Sequence, residues 1–243
     1  MLAGKTAIIT GAASGFGAEM VSQFLAHGAA IVAVDRQVGR QPEGDRLLPV
    51  LADVTREEDA ERIVEAAKTR FGAVDILINN AGTVGPAGRL ESTSLAEFND
   101  LFQVNVTGVF LCCRAVLPLF RSRSRGNIIN IASGSALRPR AGAVAYSASK
   151  GAVITMTRAL ALEVAEDRVR VNCICPAISR TPLIKAFIGD HDDAETWEQI
   201  RQGIPLGRLV EPADVAAAAL WLASDASSMV TGMSLPVDGG RCI

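Results

Sequence analysis

The sequence predicts an α/β fold in which a doubly wound, mostly parallel sheet of about seven strands carries helices on both faces. Three observations lead there. Apolar runs of strand length alternate along the 243 residues with longer, helix-periodic segments. Several of those runs are apolar throughout, as suits strands covered on both faces. A glycine-rich turn joins the first run to the first helical segment. Alternation of this kind implies parallel βαβ units with right-handed crossovers. The chain is 49% hydrophobic and 21% charged, enough apolar mass for a sizeable core. Residues 1–243 read as one domain.

The elements follow in order. Lys5–Thr10 is the first strand, and Gly15–His27 the helix that leaves the glycine turn. Ala30–Val34 and Leu47–Leu51 are apolar runs of strand length, separated by a polar, Gly- and Pro-bearing surface loop, Gln37–Arg46. Arg56–Phe71 has helical periodicity and leads to the strand Val74–Asn79. Leu95–Ser122 is a long helical pattern, followed by the strand Asn127–Ile131. Tyr146–Glu166 is the next helix and Arg168–Ile174 the next strand. Residues 183–206 are less regular, with an acidic run Asp190–Asp193, Trp197 and Pro205, and read as a short helical insertion over a substrate site. Pro212–Ser224 is a last helix and Ser234–Val237 a short closing strand.

Charge and composition set aside several function classes. With 24 basic and 26 acidic residues the net charge is −2, so no basic excess points to nucleic acid or to an anionic membrane. Uninterrupted apolar stretches such as Ala29–Val34 are too short to span a bilayer. The N-terminus has no charged leader and apolar core of signal-peptide form, so the expected location is cytoplasmic. Five cysteines without a CxxC read as reduced thiols, with neither a disulfide framework nor a metal site.

The turn Thr10-Gly11-Ala12-Ala13-Ser14-Gly15-Phe16-Gly17 is the first candidate site. Its glycines allow close backbone approach to a ligand, and the helix N-terminus offers free N–H groups to a pyrophosphate. The spacing is GxxxGxG rather than GxGxxG. Asp35, at the end of the second strand, can accept hydrogen bonds from adenosine ribose hydroxyls and would repel a 2′-phosphate. Arg36 pulls the other way, because a guanidinium can pair with such a phosphate. The loop itself holds no Lys or Arg, so the balance favours NAD over NADP.

The second candidate is Tyr146-Ser147-Ala148-Ser149-Lys150. Four residues apart on a helix, the phenol and the ammonium share a face. A cation beside a phenol favours phenolate, and a phenol so tuned can exchange a proton with an alcohol or carbonyl. Ser133, in the turn after the strand Asn127–Ile131, can hydrogen-bond a substrate oxygen, and Ser135 in the same turn competes for that role. Asn105 sits inside a helical pattern where Asn is a poor fit, which points to a local distortion.

In their order and spacing, Thr10–Gly17, Asp53-Val54, Asn79-Asn80-Ala81-Gly82, Asn105, Ser133, Tyr146–Lys150, Pro176–Thr181 and Asp238-Gly239-Gly240 resemble the classical short-chain dehydrogenases/reductases over nearly the whole chain. The resemblance implies a Rossmann fold and an NAD(P)-dependent oxidoreductase acting on CH–OH groups. It implies that Asp53 and Val54 contact the adenine, that Asn80, Ala81 and Gly82 line the cofactor, and that Pro176, Ile178 and Thr181 lie at the nicotinamide carboxamide. Ser133, thirteen residues before Tyr146, has the family's usual separation and ranks above Ser135. Lys150 is implied to bind the nicotinamide ribose, and Asn105 to hold a water that links Lys150 to solvent. The chain departs from the family pattern at Ala177, where a Gly is usual, and at Phe16, usually Ile or Leu.

The leading functional expectation is an NAD-linked dehydrogenase of a secondary alcohol, polyol, hydroxy acid or cyclic alcohol. Two alternatives stand beside it: an NADPH-dependent 3-oxoacyl thioester reductase, and a catalytically silent nucleotide-binding scaffold or sensor. The segments that would enclose substrate carry Arg138, Arg140, Arg180, Lys185, His191 and Trp197. The arginines suit either an anionic substrate or plain surface charge. His191 reads as solvated and Trp197 as lid packing. By resemblance the chain forms a homodimer or homotetramer through Leu95–Ser122 and Tyr146–Glu166.

Overall fold

The computed structural model describes residues 1–37, 44–184 and 192–243. The expected loop Gln37–Arg46 therefore falls in large part outside the described residues, as do Lys185 and His191.

Seven strands form one sheet in the order β3-β2-β1-β4-β5-β6-β7, and every pairing between them is parallel. They are β1 Thr6–Thr10, β2 Ala30–Asp35, β3 Leu47–Leu51, β4 Ile76–Asn79, β5 Gly126–Ile131, β6 Val169–Pro176 and β7 Ser234–Val237. The helices are α1 Gly15–Ala26, α2 Glu57–Phe71, α3 Leu95–Phe102, α4 Gly108–Arg123, α5 Gly134–Leu137, α6 Val144–Glu163, α7 Ala194–Gln202 and α8 Pro212–Ala223. Most expected boundaries shift by one or two residues. The strand expected from Val74 starts at Ile76, because Asp75 is used as an anchor. Its buried carboxylate accepts from Thr6 N at 2.9 Å and pairs with Arg123 and Arg125 at 3.1 and 2.6 Å.

The strands are apolar on both sides because both sides are covered. On β1, Ile8 packs with α2, α4 and α6 in one cluster, while its neighbours Ala7 and Ile9 pack with α1 and α8 in the other. Side chains alternate across a strand, so TAIIT splits its apolar mass between two cores.

The expected helix Leu95–Ser122 is two helices joined by a π turn, Gln103–Thr107, at the place where Asn105 signals a distortion. The continuous helical rod Leu95–Arg123 is long and apolar enough to cross a membrane by length and composition, unlike the short runs the sequence shows. Here it lies against α2 and the sheet, with Leu111, Cys112, Val116 and Phe120 buried.

Candidate active site

The strand order reverses between β1 and β4, and the crevice outside their carboxyl ends is where ligands bind in sheets of this kind. Two turns meet there. Asn80 Nδ2 donates to Thr10 O at 2.8 Å and to Gly11 O at 3.0 Å, and Thr10 Oγ1 accepts from Asn80 N and Ala81 N, both at 3.0 Å. Gly11 has φ +65°, and a Cβ there would lie 2.8 Å from Asn80 Nδ2. A Cβ on Gly17 would sit 2.0 Å from Gly11 O, so only glycine lets α1 begin this close to the loop. The first turn of α1 carries no acidic residue, and its N-cap Ser14 makes no side-chain cap. Its free N–H groups and positive dipole end therefore face the crevice unopposed, a cradle suited to a pyrophosphate.

The crevice opens into a cleft of about 1210 Å³. Gly11, Ser14, Gly15 and Phe16, then Asp35, Arg36, Asp53 and Val54, then Asn80, Ala81 and Gly82 line it. So do Ser133, Tyr146, Lys150, Pro176, Ile178 and Thr181. Of the expected site residues, Gly17 and Asn105 stand behind the wall rather than on it. Asp35 Oδ2 accepts from Ala13 N at 2.9 Å, which ties the glycine turn to the end of β2. Thr181 closes over the same turn, its Cγ2 lying 3.4 Å from where a Cβ on Gly15 would be. The donors, the glycine cradle and the carboxylate at the ribose position fit a nicotinamide dinucleotide.

At the other end of the cleft Tyr146 is half-buried on the first turn of α6, and Lys150 is buried one turn later. Lys150 Nζ donates to Ile131 O at 2.8 Å, and burial brings its pKa down to about 8. The Tyr146 phenol is pushed above its ordinary value by burial; hydrogen bonding with Ser133 and the charge of Arg140 oppose that rise. The groups that oppose the rise in this structure are Ser133 and Arg140, while one donor of the Lys150 ammonium is held by a backbone carbonyl and the side chain still lines the cleft. Ser133 also caps α5, accepting from Ser135 N at 3.1 Å, so Ser135 supports the hydroxyl it was weighed against.

Asn105 is wholly buried in the π turn. Its Oδ1 accepts from Thr83 N at 2.8 Å, and its Nδ2 donates to Thr83 O at 2.9 Å and to Ser149 Oγ at 3.1 Å. Ser149 in turn donates to Tyr146 O at 2.8 Å, so the π turn is fastened to the helix that carries the tyrosine. A Cβ on Gly82 would lie 3.1 Å from Asn105 Oδ1 and 3.3 Å from Lys150 Nζ, so glycine keeps a niche open between amide and ammonium.

Arg138 and Arg140 line the cleft, joined by Arg241 from the last turn of the chain. Arg180 instead stacks on Trp197, 4.5 Å from the ring centroid. Trp197 is buried in α7 with its Nε1 donating to Asp192 at 2.7 Å. Sequence reasoning passed over Ser149 and Arg241. Ser149 was detectable as a polar residue on the inner face of a helix, whereas nothing local marks Arg241. Cys112 and Cys113 are buried on the inner face of α4 and pushed up to about 12 by desolvation, out of reach of thiolate chemistry.

Residues 11–241 match a family model described as enoyl-(acyl carrier protein) reductase. The chain is 38% identical to a 4-formylbenzenesulfonate dehydrogenase of Comamonas testosteroni, with 98% of each chain covered. It is 42% identical to an L-fucose dehydrogenase of Bos taurus, over 98% of this chain and 89% of that one. Among solved structures, the 3-ketoacyl-(acyl-carrier-protein) reductase from Brucella melitensis complexed with NADH is 41% identical and superposes with a TM-score of 0.93 over the whole of both chains.

Proposed function

Because the chain belongs to the short-chain dehydrogenase/reductase family, whose members here act on CH–OH groups, we propose that it is an NAD(H)-dependent dehydrogenase of a secondary alcohol. The observation that carries this reading is the convergence of Ser133, Tyr146 and Lys150 on the cleft that the glycine turn opens. The overall change is a secondary alcohol plus NAD⁺ giving a ketone, NADH and a proton. A bound nicotinamide supplies the acceptor for the hydride that leaves the carbinol carbon.

The chain's own groups do the rest. Tyr146 takes the hydroxyl proton in oxidation and returns it to the carbonyl oxygen in reduction. Burial keeps the phenol protonated, which suits the reductive step; Ser133 and Arg140 lower the cost of the phenolate that oxidation needs. Ser133 holds the substrate oxygen as charge develops on it. Lys150, fixed by Ile131 O, presents its ammonium to the cleft below about pH 8. Asn105 and Ser149 hold the frame, and Asn105 and Lys150 flank Gly82 together, as a proton relay from Lys150 through a water on Asn105 would need. Asp35 supports NAD over NADP, since a carboxylate at that position repels a 2′-phosphate. The apolar outer sides of α4 and α6 support self-association as a homodimer or homotetramer.

Tyr146→Phe tests the assignment. It is expected to lose at least about a thousandfold in turnover, as removal of a general acid–base does, while NADH titration by fluorescence stays within twofold of the parent. Undiminished turnover would sink it. The same titration with NADPH is expected to show weaker binding.

A second reading is an NADPH-dependent reductase of 3-oxoacyl thioesters; the name of the structural neighbour supports its thioester chemistry, while the NADH bound there does not support NADPH. Tight NADPH binding together with thioester reduction would select it.

A further inference from the structure

The hydroxyl of Ser133 is carried by a weak element. Ser133 is the N-cap of α5, which has four residues, Gly134–Leu137. One turn of helix does not hold its own geometry in water, so its placement comes from what packs on it. One side is the end of β6: a Cβ on Gly134 would lie 3.2 Å from Pro176 O. The other side is the turn that follows β7. The same Cβ would lie 3.2 Å from Cys242 Sγ, and that thiol donates to Gly134 O at 3.6 Å. At the far end of α5, Arg138 Nη1 donates to Arg241 O at 2.5 Å. A guanidinium on a carbonyl makes a charge-assisted bond, stronger than one between neutral groups. Two consecutive residues of one turn thus grip both ends of the helix that begins at Ser133.

That turn is itself built to keep its shape. Asp238 is 8% exposed, and its two carboxylate oxygens accept from Gly240 N and Cys242 N, both at 2.8 Å. Gly239 and Gly240 have φ +62° and +87°, where glycine is favoured. A Cβ on Gly239 would lie 2.6 Å from Ile204 Cγ2, so the turn presses directly on the chain leaving α7. Leu206 N donates to Gly239 O at 3.0 Å, and Arg241 Nη1 donates to Gly203 O at 3.2 Å. Arg241 and Cys242 line the same cleft as Ser133.

We propose that the turn Asp238–Cys242 is a brace that aims the Ser133 hydroxyl through α5, with Arg138 and Asp238 as its positioning residues. The proposal rests on the dehydrogenase reading and adds to it the groups that hold Ser133 in place. Arg138 fastens the turn to α5, and the Asp238 carboxylate keeps the turn in the shape that Arg138 can reach.

The test has a labelling arm and a turnover arm. Cys242 is partly exposed while the other four cysteines are buried, so its reaction with 4,4′-dithiodipyridine, located by peptide mass, reads the turn. In NADH-loaded protein, Arg138→Met is expected to label at Cys242 at least about fivefold faster than the parent, as a loosened segment does. Arg138→Lys, which keeps a donor for Arg241 O, is expected to stay within about twofold. Burial and Asp238 push the Cys242 thiol up to about 11 while the Arg138 charge opposes the rise, so losing that charge alone would slow the label.

In turnover, 2-butanol, cyclohexanol and 3-hydroxybutyrate form the panel. On the best of them Arg138→Met and Asp238→Asn are each expected to lower kcat/KM about tenfold, with NADH affinity within about twofold of the parent. In a Ser133→Ala background Arg138→Met is expected to cost less than about twofold, because the hydroxyl it aims is gone. Parental labelling in Arg138→Met overturns the brace. Faster labelling with parental turnover, or a tenfold loss that persists without the Ser133 hydroxyl, overturns the positioning of Ser133. Faster labelling in a protein that oxidises none of the three alcohols supports the brace and overturns the dehydrogenase reading.

Discussion

Lys150 is kept where its charge is unwelcome. It is buried, its partner is one carbonyl oxygen, and its pKa is brought from 10.5 to about 8 by desolvation. Between those two pH values the unfolded chain holds a proton that the folded chain has lost, so this group makes stability rise with pH from about 8 to 10.5. Below about pH 8 the folded state bears the whole penalty, on the order of 3 kcal/mol. Lys150→Met should therefore stabilise the fold at pH 7 by about 2 kcal/mol, the difference after about 1 kcal/mol for the lost hydrogen bond to Ile131. The advantage should shrink to nothing near pH 10 and reverse above it, where only the roughly 1 kcal/mol hydrogen-bond loss remains, and turnover should be lost. Urea unfolding of parent and variant at pH 7 and above pH 10 measures both signs. A variant less stable than the parent at pH 7 would show that the ammonium is not a burden. The sequence shows Tyr146 and Lys150 as helical neighbours, and from that alone mutual tuning follows. It does not show burial, which sets both groups here, nor that Lys150 turns to the carbonyl of Ile131 while Ser133 and Arg140 attend the phenol.

At the scale of elements, the site depends on how helices begin and where one of them is distorted. α1 starts against the carbonyl of Gly11 because Gly17 has no Cβ to meet it. Gly17→Ala places a methyl 2.0 Å from that oxygen and 2.7 Å from Asn80 Nδ2, contacts that only a shift of α1 relieves. The expected cost is about 1–3 kcal/mol in stability, typical of overpacking. NADH affinity should fall at least about tenfold as the N-terminal N–H groups leave their aim. Fluorescence titration beside a denaturation curve separates the two; parental NADH affinity in a destabilised variant would dissociate the helix end from the phosphates. The glycine spacing made this element legible in advance, since a turn that lacks Cβ atoms at fixed offsets has few other uses. The π turn was half legible. Asn105 amid Val104 and Val106 marks a place where a regular helix is unfavourable, but its partners Thr83 and Ser149 come from a loop and another helix, and no local pattern encodes them. The same holds for Arg241, which reaches the cleft only because β7 returns the chain beside β6. Trp197 was legible as a packing residue, because a lone large aromatic in a polar stretch has one favourable place to go.

At the scale of the whole molecule, α4 and α6 lie over the same face of the sheet and contribute to one core cluster. Their outer sides keep apolar side chains among charged ones: Phe110 is 47% exposed, Val144 50% and Leu162 83%. Leu95–Arg123 is apolar enough that burial against its own sheet accounts for less than half of its most apolar stretch. A second copy of the chain, related by a two-fold, would cover both helices with the same surface it presents. Tyr146 and Lys150 ride on the first turns of α6, so a partner packed along that helix would also fix the two groups that face the cleft. Light scattering on the eluting protein should therefore give two or four times 25.5 kDa. Phe110→Glu combined with Leu162→Glu should shift the mass towards a single chain while circular dichroism keeps its α/β signature. Both positions are exposed and neither lines the cleft, so NADH binding should persist. Turnover should fall several-fold, because a helix held on one side positions its side chains less tightly than one held on both. A parent protein that elutes at 25.5 kDa with full turnover would remove the partner and leave α6 to hold its tyrosine alone.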